Sequence, residues 1–225
     1  MKYNEPAYQN RTGAGLILAD HLTPYQGRNT IVFAIPRGGI PVAVEVAGRL
    51  GASLDIIVSR KIPIPYNTEA GYGAVTEDGV IVINDPLVKQ LGFTRPQIEN
   101  HAEAVKNEIR RRQRVYRDIL PPSIVKGKTA VIIDDGLASG YTMMAAIKSI
   151  GKQGAVKIVA AAPVASSNAL ELINAAADEV VCPIVSHHYP FAVASYYRYW
   201  HDLTDEEVIS DLKKFINNYP GYAND

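Results

Sequence analysis

The chain has 225 residues, 47% of them hydrophobic, and its 23 Lys plus Arg are balanced by 23 Asp plus Glu. That length suits one α/β domain with a full core, and zero net charge excludes an overall field for nucleic acid or an anionic membrane, so any anion site must be local. One cysteine excludes an internal disulfide framework; there is no apolar run of about 18 residues and no signal-peptide pattern in MKYNEPAYQNRTGAG, so the expectation is a soluble, cytoplasmic chain.

In chain order, TIVFAI (30–35) reads as the first buried strand. The turn Arg37-Gly38-Gly39 follows, and Val42, Val46 and Leu50 then recur at helical spacing. LDIIVS (54–59) is the second strand. The stretch SRKIPIPYNTEAGYGAV (59–75) carries prolines, Asn67 and glycines that argue against regular structure, and it reads as a lid over whatever binds at the strand ends. GAVTEDGVIVIN (73–84) folds on Asp78-Gly79 as a small edge hairpin. A long polar helix runs from about Arg95 to Arg117 and is closed by PPSIVKGK. TAVIID (129–134), VKIVAAAPV (156–164) and DEVVCPI (178–184) are three further buried strands. They are separated by helical patterns at Met144, Ile147 and Ile150 and at Ala169, Leu170 and Ile173. Strands alternating with helices imply right-handed βαβ units and a doubly wound, mostly parallel sheet.

VIIDDGLASGYT (131–142) carries the chemistry. Ligands of open α/β sheets bind beyond the carboxyl ends of strands, where Asp134 and Asp135 stand. Gly136, Ala138, Ser139 and Gly140 are small enough for backbone N–H groups to approach an anion, and a helix starting near Tyr141 aims its N-terminus at the same place. Ser139 and Thr142 add hydroxyl donors, while the two carboxylates accept from sugar hydroxyls or a hydrated cation. A phosphorylated sugar satisfies both halves. The bland alternative is a helix cap beside a tight turn. No Walker loop and no G-x-G-x-x-G is present.

This stretch resembles the phosphoribosyl-pyrophosphate signature of the type I phosphoribosyltransferases. The resemblance implies that Asp134 and Asp135 bind the ribose hydroxyls and that Ala138 to Thr142 bind the 5-phosphate. Ser139 stands where threonine is usual, and Tyr141 where a smaller residue is more frequent. Arg37-Gly38-Gly39 looks like the family's pyrophosphate loop, which carries an unusual peptide geometry in many members. Nearly the whole chain is similar to a bacterial and archaeal group of phosphoribosyltransferases, through NRTGAGLILADHL, PRGGIPVAVEVA, RKIPIPYNTEAGYGAV, EIRRRQRVY and a terminal TDEEV. The resemblance implies one domain over 1–225 with a lid and hairpin insertion at about 60–84, a C-terminal hood at about 185–225, and a homodimer.

Loss of pyrophosphate from ribose C1 leaves an oxocarbenium-like centre, so leaving-group stabilisation matters more than a nucleophile. Arg37, Arg60 and Lys61 would supply cationic groups, with Mg²⁺ near Asp134 and Asp135 held largely by ligand oxygens and water. Lys61, Glu69 and Asp135 are the candidate catalytic residues. For Arg60 and Lys61 the alternative is a solvated strand end, and for Glu69 it is loop surface. Enzymes for 6-oxopurines usually carry an acid where Ala138 stands. An adenine-type signature tolerates alanine there, so the expected acceptor is a purine base, in the chemistry of nucleotide salvage. Phe191, Tyr197 or Trp200 could stack on the base, or simply pack. His187-His188 reads as loop surface, and Arg110, Arg111, Arg112 and Arg114 as a solvated face, with an RNA site, or a reach into the pyrophosphate site of its own or a neighbouring subunit, as the alternatives. Two other classes remain open: a non-catalytic sensor of phosphoribosyl pyrophosphate or a nucleotide, and a sugar-phosphate hydrolase with Asp135 as base.

Overall fold

The computed structural model describes residues 6–27 and 29–222, the side chains of residues 68, 69 and 222 excepted. In chain order its elements are α1 (Arg11–His21), β1 (Thr30–Ala34), α2 (Gly39–Leu50), β2 (Ser53–Ile56), β3 (Ser59–Ile64), β4 (Asn67–Thr76) and β5 (Ile81–Ile83). There follow α3 (Asp85–Leu91), α4 (Arg95–Arg117), β6 (Thr129–Ile133), α5 (Tyr141–Lys152), β7 (Lys157–Ala161), β8 (Val164–Ser166), α6 (Ser167–Asn174), β9 (Glu179–Val181), β10 (Ile184–Ser186) and α7 (Asp205–Asn218).

A five-stranded sheet in the order β2-β1-β6-β7-β9 is parallel throughout. Its strands are apolar on both faces because both faces are covered. Val32, Ala34, Val131 and Ile133 turn towards α1, α2, α4 and α7. Ile31, Phe33, Ala130 and Ile132 turn towards α5 and α6. Each such fully buried branched side chain contributes roughly 2 kcal/mol. The chain runs from β1 outwards to β2 and then crosses back to β6, so the strand order reverses between β1 and β6. The helices that follow them, α2 and α5, pack on opposite faces of the sheet, which makes the space beyond these two strand ends the usual ligand position in such sheets.

Three expectations require correction. The runs 156–164 and 178–184 are each two strands, because Pro163 and Pro183 lack the N–H that would continue a ladder. β8 and β10 resume as a separate parallel pair. The run 54–59 likewise ends as β2 at Ile56, and Ser59 opens β3. Finally, the stretch 59–75 is not irregular: β3 and β4 form an antiparallel hairpin that β5 extends into a three-stranded sheet. β3 is an edge strand, where proline is tolerated, and the register shifts around Pro63 absorb it. The expected pairing across Asp78-Gly79 is present as β4 with β5, but the hairpin is packed on α5 through Ala74, Val80, Val82, Met144 and Ala145.

The long helix predicted over 95–117 matches α4, with Thr94 and Gln97 forming a capping box. Helices α1, α3 and α7 are not among the expected elements. Of the region expected to form a hood, residues 205–218 are helix α7, whose Val208, Leu212 and Phe215 are buried in the cluster that contains α2.

Candidate functional site

Both loops at the crevice end in helix N-termini without a side-chain cap. Gly38 precedes α2 and Gly140 precedes α5, and neither helix has a side-chain hydrogen bond closing its first turn. Among the described residues, the N–H groups of Ala138, Ser139 and Gly140 donate to no protein acceptor. Two positive helix ends therefore open on one crevice, with Asp134 and Asp135 between them.

The acid pair is held asymmetrically. Asp135 accepts from Arg11 Nε at 2.7 Å, an ion pair in which Arg11 is 7% and the Asp135 side chain 13% exposed. Arg11 also donates to the carbonyl of His201 at 2.9 Å and lies 3.8 Å from the centre of the Trp200 ring. Tyr197 donates to the Asp135 carbonyl at 2.6 Å. Asp134 accepts the Asp135 N–H at 2.9 Å. Burial and the neighbouring Asp135 push the Asp134 carboxyl well above the usual range. Burial also raises Asp135, against the pull of Arg11. Arg11 thus pairs directly with Asp135 and acts on Asp134 only from a distance.

The loop after β1 is built against these acids. A Cβ on Gly38 would fall 1.9 Å from Asp135 Oδ2, and one on Gly39 would fall 2.6 Å from the Ile133 carbonyl. Only glycine fits at either position. The peptide bond Pro36-Arg37 is cis, so the unusual geometry that the resemblance implies lies immediately before Arg37. Arg37 pairs with Asp205 at 3.9 Å.

The loop after β6 is fixed on its other side by β8. Leu137 donates to Val164 O at 2.9 Å, Ser166 N donates to Leu137 O at 2.9 Å, and the Ser166 hydroxyl donates to Ala138 O at 2.7 Å. Gly140 has φ of +79°, a conformation that favours glycine. A cleft of about 670 Å³ adjoins this loop and is lined by Ala138, Ser139, Tyr141, Asn168, His187 and Phe191, among others. Thr142 turns its carbonyl to the Ser59 hydroxyl at 2.9 Å, tying α5 to β3.

The structure brings Arg37, Gly38, Gly39, Asp134, Asp135, Gly136, Ala138, Ser139, Gly140, Tyr141 and Thr142 to one sheet edge. The hairpin residues behave differently. Arg60 is not a free strand end: it pairs with Glu108 of α4. Lys61 is exposed and, by strand alternation, leaves the opposite face of β3 from Arg60. Glu69 belongs to β4, and its side chain lies outside the described residues. Tyr197 is 4% exposed and Trp200 stacks on Arg11, so both support the site rather than offer a stacking face. Phe191 alone of the three aromatics lines the cleft. His187 and His188 are exposed there as expected, and no group of three or more metal-ligating side chains exists among the described residues. The arginines of α4 are not one solvated face, because Arg112 is only 13% exposed.

Sequence reasoning missed Arg11, whose partner is 124 positions away, and Val193, against which Gly136 packs so closely that a Cβ would meet Cγ1 at 2.4 Å. Asn10 was the available sign of α1, since it caps that helix by accepting from Gly13 N at 2.8 Å.

Comparison with known proteins gives a consistent result. The family model described as "Phosphoribosyl transferase domain" matches residues 9–198. Two curated Mycobacterium tuberculosis relatives, "Putative phosphoribosyl transferase MT0597" of strain CDC 1551 and its Rv0571c counterpart of strain H37Rv, are each 36% identical over 210 residues. The match takes in 92% of this chain and 46% of theirs, so the chain spans about half the length of these relatives. The crystal structure of TT1426 from Thermus thermophilus is 36% identical, covers 92% of this chain and 98% of its own, and superposes with a TM-score of 0.77.

Proposed function

The chain belongs to the phosphoribosyltransferase family, and from that premise we propose that it transfers ribose 5-phosphate from phosphoribosyl pyrophosphate to a nitrogenous acceptor. The observation that carries this reading is the pair of uncapped helix N-termini flanking Asp134 and Asp135 at the point where strand order reverses. An anion at each helix end and a polyhydroxylated ring between them match the three parts of that donor.

The 5-phosphate sits on the N–H groups and hydroxyls of residues 138–142, with Ser139 and Thr142 donating. The ribose 2- and 3-hydroxyls donate to the carboxylates of Asp134 and Asp135, and Arg11 fixes the latter. The pyrophosphate lies along Arg37, Gly38 and Gly39. In the transfer, the bond from C1 to the pyrophosphate oxygen breaks and its electron pair leaves with pyrophosphate. A ring nitrogen of the acceptor bonds to C1, and its proton passes to the departing pyrophosphate. Arg37 stabilises the departing charge, and the hairpin excludes water that would compete as acceptor.

The donor set fits a hydrated divalent cation: two adjacent acids, only one of them in a direct ion pair with Arg11, and too few side-chain ligands among the described residues for an all-protein cage. When bound, Mg²⁺ would neutralise pyrophosphate charge, with Asp134 and Asp135 close enough to hold it through water. The acceptor enters the cleft bounded by Ala138, Tyr141 and Phe191. With no acid at Ala138 to exchange a proton with a 6-oxo group, and with Phe191 available for stacking, a purine of the adenine type is the acceptor we favour. A homodimer and a cytoplasmic location belong to the same reading. No described helix is long and apolar enough to cross a membrane.

Titration calorimetry with phosphoribosyl pyrophosphate tests the donor site. Wild-type chain is expected to bind it, and the double substitution Asp134→Asn/Asp135→Asn to weaken binding about a hundredfold, as expected for two lost charge-assisted hydrogen bonds. Equal affinities would remove the acid pair from the donor site.

A further inference from the structure

Helix α4 carries the part of the molecule that the donor site does not explain. Its last turn is pinned to the crevice end of the sheet, where Arg117 donates to the carbonyl of Ile56, the final residue of β2, at 2.9 Å. Glu108, Arg112 and Tyr116 stand one turn apart on one face of the helix. Arg112 pairs with Glu108 at 3.1 Å, and Glu108 also holds Arg60 of β3. Tyr116 donates to Asp205 at 3.0 Å. Asp205 in turn holds Arg37 of the loop after β1 and Arg111 of α4, at 3.9 and 3.7 Å.

Glu108 thus faces Arg60 and Arg112, and Asp205 faces Arg37 and Arg111, with Arg37 near enough to Arg112 to act on its charge. Arg112 is the most enclosed of the four, and its Nε is buried with no acceptor among the described residues. Burial and the nearby Arg60 and Arg37 push its proton affinity below the usual arginine range, against the pull of Glu108. Like charges brought together with a donor left over are costly unless an anion joins them. A solvated surface patch would spread its arginines into water, as Arg110 does on Asn107 and Glu103 at the helix exterior.

We propose that Arg112, with Arg60 beside it, completes the pyrophosphate site from α4, donating from its buried Nε to the anion that Arg37, Gly38 and Gly39 hold from the other side. This rests on the donor reading given above and adds residues to it. Glu108 then serves as the placeholder that the anion displaces. A hairpin carrying Arg60 and a helix carrying Arg112 would close together on the leaving group, so that pyrophosphate binding and hairpin position are linked.

The experiment measures binding of inorganic pyrophosphate and, separately, of ribose 5-phosphate, by calorimetry at fixed ionic strength, to four forms of the chain: wild type, Arg112→Gln, Glu108→Gln and Arg110→Ala. The expected result is pyrophosphate affinity reduced about tenfold or more in Arg112→Gln, as for a lost hydrogen bond to a charged group, and increased in Glu108→Gln, where a competing carboxylate is gone. Arg110→Ala should match wild type for both ligands, and all four forms should bind ribose 5-phosphate alike. The tightening in Glu108→Gln is the readout that a merely structural Arg112 would not produce. Unchanged pyrophosphate affinity in Arg112→Gln, weakening in Glu108→Gln, or an equal loss of both ligands would overturn the proposal. Failure of wild type to bind ribose 5-phosphate would instead overturn the donor reading on which it rests.

Discussion

Asp135 is fixed by contacts from three distant parts of the chain: Arg11 on its carboxylate, Tyr197 on its carbonyl, and Gly38 packed where any side chain would collide with it. Removing the cation leaves a buried carboxylate without compensation. Arg11→Met is therefore expected to destabilise the chain by about 3 kcal/mol in a denaturant titration, whereas a loss within error would mean that Asp135 is solvated. Glu77 offers a different test at the same scale. Burial raises its carboxyl from 4.5 to about 7, opposed by Arg117 at 3.6 Å and aided by Asp55. The folded chain therefore binds this proton more tightly than the unfolded chain, and Glu77 lowers stability as pH rises between about 4.5 and 7. Glu77→Gln should become more stable relative to wild type on going from pH 5 to pH 8, by on the order of 3 kcal/mol. Parallel stability profiles would contradict this.

At the scale of elements, the loop after β6 depends on what presses against it. Gly136 sits under Val193 of the 3₁₀ turn Val193–Tyr196, with no room for a Cβ. Gly136→Ala should cost about 1–3 kcal/mol through overpacking, and Val193→Ala in the same chain should recover most of it. Additive losses in that double-mutant cycle would show that the contact does not position the loop. The strands of the central sheet were readable in the sequence because burial on both faces leaves runs of β-branched residues. β3 was not, since Pro63, Pro65 and the glycines read as a loop until the edge position that tolerates them is known. Pro163 and Pro183 erred the other way: each interrupts a run that composition alone joins. Asp134, Asp135 and the small residues after them were legible because their spacing is local. Arg11 was not, because nothing within the sequence ties it to an acid 124 residues on.

At the scale of the molecule, the alternation of strands and helices gave the parallel sheet, while the strand order β2-β1-β6-β7-β9 that makes the crevice emerged only in three dimensions. That order unites two loops about a hundred residues apart and makes one site of them. α4, which reads as polar surface in sequence, turns one arginine-bearing face inwards, because it is held between the hairpin, through Arg60 and Glu108, and Asp205 of α7, which also holds Arg37. Transfer is tested most directly by pyrophosphate release from phosphoribosyl pyrophosphate with Mg²⁺, with purine and pyrimidine bases supplied singly and Asp134→Asn/Asp135→Asn as control. Release is expected to require one base, a purine, and to disappear in the control. Donor binding without release for any base would contradict transfer and leave a sensor of the same ligand.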